Sequence, residues 1–68
     1  MRLKLLAKDF ESGKAGCPSV YLAENGKLVI QGGLLDQATK ANLLNLLAGE
    51  GAVEIDADIV RTALAQLM

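Results

Sequence analysis

Cys17 is the single cysteine of the chain, and Lys14 three positions earlier would lower the thiol pKa if the two side chains converged. A thiol-dependent reaction is the chemistry such a pair offers. The chain has no histidine, so no Cys-His pair exists to activate the sulfur, and Cys17 reads more simply as a small residue packed at the start of a strand. Glu54, Asp56 and Asp58 alternate like carboxylates arranged for acid–base work or for Mg²⁺. Asp56 is better placed to cap a helix, Asp58 to face that helix's positive end, and Glu54 to be the wet member of a strand. Tyr21 and Gln31 are the hydrogen-bonding groups of an otherwise apolar segment, where an amide at a strand end can read a peptide or a base edge. Their simpler role is to end a strand and cap a core with a wet hydroxyl. The string Gly49-x-Gly51-x-x-Glu54 copies part of a dinucleotide fingerprint but lies between a helix and a strand, the reverse of the required order. These residues point to no catalytic site, cofactor or metal.

The elements that position them are legible from spacing. Residues Ser19 to Gln31 read as two β-type runs joined by Asn25-Gly26, the dipeptide that best tolerates positive φ at both centres of a two-residue type I′ turn. That turn pairs Glu24 with Lys27, Ala23 with Leu28, Leu22 with Val29, Tyr21 with Ile30 and Val20 with Gln31. It predicts one sheet face holding Val20, Leu22 and Val29 and another holding Tyr21, Ala23, Leu28 and Ile30. Upstream, residues 2–10 fit both a strand and a helix, with a short strand favoured, and residues 11–16 form a glycine-containing loop feeding the hairpin.

Gly32-Gly33 ends the hairpin, and Asp36 is a predicted N-cap for a helix running from about Gln37 to Ala48 and stopping at Gly49. Leu43, Leu44, Leu46 and Leu47 give that helix an apolar sector wide enough for more than one packing partner, with Asn42 and Asn45 on its wet side. Residues 52–55 read as a short half-buried strand. Asp56 then caps a last helix in which Ile59, Val60, Ala63, Leu64 and Leu67 share one face. The expected architecture is a single α+β domain over residues 1–68, in the order possible β, β-hairpin, α, β, α, with helices against one face of the sheet.

Composition bounds what such a domain can do. A chain of 68 residues buries roughly 60% of the surface its unfolded form exposes, and one cysteine with no histidine supplies neither a disulfide nor a structural zinc site. Oligomerisation or a partner is the remaining supplement. A net charge of −1 and an aromatic content of 3% argue against binding nucleic acid by bulk electrostatics or base stacking. Charge is uneven, however, with Arg2, Lys4, Lys8 and Lys14 near the start and Glu50, Glu54, Asp56 and Asp58 near the end, so the two segments are candidates to lie side by side within or between chains. No apolar run approaches the ~20 residues of a membrane span. The start resembles a signal peptide until Lys8-Asp9 interrupts it, and a cytoplasmic location is expected.

Cys17-Pro18-Ser19-Val20-Tyr21, Gly26, Val29-Ile30-Gln31-Gly32, Gly49-Glu50 and Ala52-Val53-Glu54-Ile55 together resemble a group of small actinobacterial proteins. In that group the motifs read Cys-Pro-Ser-Val-Tyr, a turn glycine, Val-Val-Gln-Gly and a late Gly-Glu before Val-Glu-Ile. The resemblance covers about residues 10–62 and implies a non-enzymatic accessory role beside regulatory genes. Leu34-Leu35-Asp36 and the leucine-rich segment depart from it. Gly26 to Ile30, followed by Leu43 to Leu47 and Gly49-Glu50-x-x-Val53-Glu54-Ile55, also resembles the swapped-hairpin antitoxin and transition-state regulator fold, which implies an intertwined dimer that binds DNA with basic residues. Gln31 replaces the proline expected there, and arginines are few.

The expectation from the residues is a homodimeric or partner-binding interaction module, with Val20, Leu22 and Val29 of the hairpin and Leu43 and Leu46 of the helix as the docking residues. A DNA-binding regulator and a Cys17-dependent enzyme are the alternatives.

Overall fold

The computed structural model describes residues 1–9 and 18–68. Strands β1 (Leu3–Lys8), β2 (Ser19–Ala23) and β3 (Leu28–Gln31) form an antiparallel sheet in the order β1-β2-β3. A second, two-stranded sheet pairs β4 (Gly33–Leu34) with β5 (Val53–Glu54). Helices α1 (Gln37–Lys40) and α2 (Ala57–Ala65) complete a small α+β domain, in which α2 packs on β1 and β2. The class expected from the sequence is the one observed, with β4 an unforeseen addition.

The hairpin forms where expected but in another register. Ala23 N–H donates to Lys27 O at 2.8 Å and Gly26 N–H to Ala23 O at 2.9 Å, so the loop is Glu24-Asn25-Gly26 rather than Asn25-Gly26. Gly26 alone takes the left-handed conformation, at φ 88°, while Asn25 turns its side chain to accept from Lys27 N–H at 3.0 Å. This is a three-residue loop ending in a left-handed glycine, which confines positive φ to the residue that bears it without steric cost. Leu22 therefore pairs with Leu28, Tyr21 with Val29 and Val20 with Ile30. A slip of one residue exchanges the faces of a strand. Leu28 and Ile30 stand beside Val20 and Leu22, and Val29 stands beside Tyr21, the reverse of the grouping expected.

In β1 the pairing steps from Leu5↔Tyr21 to Ala7↔Val20, leaving Leu6 as a bulge. The extra residue lets Leu6 and Ala7, neighbours in sequence, both be buried, which explains why the segment fits neither a pure strand period nor a pure helical one. Among the described residues Leu6, Ala7, Val20 and Ala63 form the core, with Leu22, Ile55, Ile59 and Val60 packed against it.

The long leucine helix predicted to Ala48 ends at Lys40. After Lys40 N–H→Asp36 O and Ala41 N–H→Gln37 O, the next amides, of Asn42 and Leu43, donate three residues back, to Thr39 and Lys40. Asn42 Nδ2 donates to Ala38 O at 3.2 Å, and Asn45 turns left-handed at φ 53°. Short amide side chains compete for backbone partners, and α1 buries no side chain that would hold a longer helix together.

The remaining elements follow the sequence reading. Asp36 caps α1, its Oδ1 accepting from Thr39 N–H at 2.7 Å, and Asp56 caps α2 by accepting from Asp58 N–H at 2.8 Å. Within α2, Ile59, Val60 and Ala63 face the sheet, and Arg61 pairs with Asp58 on the exposed side. Leu64 and Leu67 of the predicted apolar face stay exposed at 47% and 45%.

Candidate interaction surface

The reactive and polar candidates resolve into structural roles where they can be seen. The Tyr21 hydroxyl donates to Gln31 Oε1 at 3.0 Å, so the two polar groups of the hairpin are brought together and satisfy each other. Diagonal placement on one sheet face does this, since Ser19 pairs with Gln31 and Tyr21 with Val29. Asp56 and Asp58 are engaged by the α2 cap and by Arg61, and Glu54 is exposed on β5. Among the described residues no group of three or more His, Cys, Asp or Glu is placed to hold a metal ion. Cys17 and Lys14 lie outside the described residues. The carboxyl of Asp36 is held below the ordinary aspartate value of 3.8 by the Thr39 hydroxyl and the Thr39 backbone N–H, as befits a cap.

The five docking candidates are scattered. Val20 is fully buried in the chain's own core, so it offers nothing to a partner. Leu22 is half-buried on the same face, packed against that core. Val29, half-buried, lies on the opposite face, because of the register. Leu43 is half-buried just beyond α1, and only Leu46, 41% exposed, is open.

The apolar surface lies elsewhere. Leu34, Leu44 and Leu47 are 87%, 92% and 65% exposed, values unusual for leucine. Ile30, Leu34, Leu35, Leu46 and Val53 line one groove between the end of β3, the β4–β5 pair and the segment after α1, and Lys40 and Glu50 border it. Leu28 and Ile30 are 40% and 36% exposed although they stand on the α2 side of the sheet, because α2 covers β1 and β2. A single helix over residues 37–48 would gather its leucines into one sector, whereas α1 ends at Lys40 and spreads them. Asn42 and Asn45, placed on a wet helical side, were the signals that the leucines would not line up.

The helix that carries Asp58, α2, packs on β1, which carries Lys4 and Lys8. Among the described residues, Arg2, Lys4 and Lys8 form no ion pair with Glu50, Glu54, Asp56 or Asp58. No helix among them is long and apolar enough to cross a membrane. Comparison with protein-family models, with curated proteins and with solved structures finds no match to this chain.

Proposed function

We propose that this chain is a non-catalytic protein–protein interaction module of the cytoplasm that self-associates and serves as an accessory to a regulatory protein. The observation that carries the reading is the exposure of Leu34 (87%), Leu44 (92%) and Leu47 (65%), while the buried apolar residues among those described are one leucine, one valine and alanines. Covering such leucines contributes roughly 1.5–3 kcal/mol each, and two copies supply enough of them to offset an association cost of about 4–15 kcal/mol. The resemblance of the Cys17 to Tyr21 and Val29 to Gly32 motifs to small companions of regulatory genes supports the accessory role.

Light scattering over a concentration series tests it. The expected result is a dimer at micromolar concentration that Leu34→Glu with Leu46→Glu converts to a monomer of unchanged far-ultraviolet circular dichroism, since neither leucine is buried. A wild-type chain that stays monomeric up to about 1 mM, a dissociation constant worth only about 4 kcal/mol, overturns the reading.

A further inference from the structure

We infer that the second copy docks at the outer edge of β3, so that two three-stranded sheets join into one six-stranded sheet about a two-fold axis at Val29. This rests on the self-association proposed above and specifies its geometry.

The three-stranded sheet has two outer edges, β1 and β3. Sheet edges invite another strand unless charge, proline or a bulge blunts them. The β1 edge carries Lys4 and Lys8 and is broken by the bulge at Leu6. The β3 edge, Leu28-Val29-Ile30-Gln31, has no charge, no proline and no bulge. Among the described residues its amides and carbonyls make no backbone hydrogen bond outside the sheet.

Charge and parity then select the partner. Two β1 strands brought together would set Arg2, Lys4 and Lys8 of one copy near the same residues of the other, which is unfavourable. Two β3 strands meet without like charges inside the ladder. A two-fold axis perpendicular to the sheet keeps each face on its own side, so only residues of equal parity can pair. The register centred on Val29 sets Val29 against Val29 of the second copy, Leu28 against its Ile30, and Lys27 against its Gln31.

The same contact covers what α2 leaves open. Leu28 and Ile30 of both copies would meet on the α2 side, closing the exposure of 40% and 36% that the single chain shows. Four residues span only about 13 Å of strand, so the ladder alone falls short of the ~800 Å² per partner that stable dimers bury, about a seventh of this chain's 5425 Å². The groove supplies the continuation, because Ile30 lines both the edge and the wall that carries Leu34 and Leu46.

Leu28→Lys and, as its control, Leu3→Lys on the β1 edge should be compared by sedimentation equilibrium. The expected result is a dimer Kd raised roughly a hundredfold by Leu28→Lys, whose effect is doubled by the two-fold, and unchanged by Leu3→Lys. Should Leu28→Lys not fold, Val29→Cys in a Cys17→Ser background decides: a rapid disulfide-linked dimer on mild oxidation supports the axis, and its absence overturns it. A wild-type dimer that survives Leu28→Lys at full affinity overturns the β3 edge while leaving self-association standing. A monomeric wild type overturns both.

Discussion

At Gly32 the backbone passes so close to β5 that a Cβ would collide with the Glu54 carbonyl oxygen, lie 3.2 Å from its carbon and 3.3 Å from Val53 Cγ2. The obstacle is backbone of a paired strand, which cannot rotate away. Gly32→Ala is therefore expected to destabilise the fold by about 1–3 kcal/mol, through separation of β4 from β5, and a lower urea midpoint measures it. Gly33→Ala provides the contrast, since its Cβ would meet only the Glu54 side chain at 3.7 Å. A glycine pair after a strand is legible in sequence as punctuation. That the first glycine is required by a strand arriving from residue 53 is not legible, because the approach is set by chain some twenty residues away.

At the scale of elements, caps were readable and lengths were not. Asp36 and Asp56 act through donors two or three residues ahead, so their roles follow from local spacing alone. The Asp36 cap also carries a pH dependence. Its carboxyl is lowered by the Thr39 hydroxyl and N–H, so the contribution of the ionised form is fully present above the ordinary value of 3.8 and is lost as pH falls through the lower folded value. The expected outcome is that the Thr39 amide resonance titrates below 3.8 in wild type and shows no such titration in Asp36→Asn, which keeps a capping oxygen. The extent of α1, by contrast, depends on packing: α1 buries no side chain, and the segment beyond it turns at Asn42 and Asn45. The hairpin register differs from the expected one for a related reason: Asn-Gly serves both a two-residue and a three-residue loop, and the choice rests on which face Leu28 and Ile30 join.

For the whole molecule, the core formed among the described residues by Leu6, Ala7, Val20 and Ala63 with partly buried neighbours is small, and many of the described leucines remain outside it. Stability should then depend on protein concentration if the second copy completes the burial. The melting temperature is expected to rise by about 3–6 °C for each tenfold increase in concentration, read by differential scanning calorimetry, whereas a constant value would mark a chain stable alone. What the sequence by itself determined is the α+β class, the hairpin, both helix caps and the β5 segment, because strand propensity, turn chemistry and capping are local. Tertiary structure decided the register of β3, the pairing of β4 with β5, the shortness of α1 and which leucines face water. Each of those depends on what another part of the chain covers, and no spacing within a single segment records it.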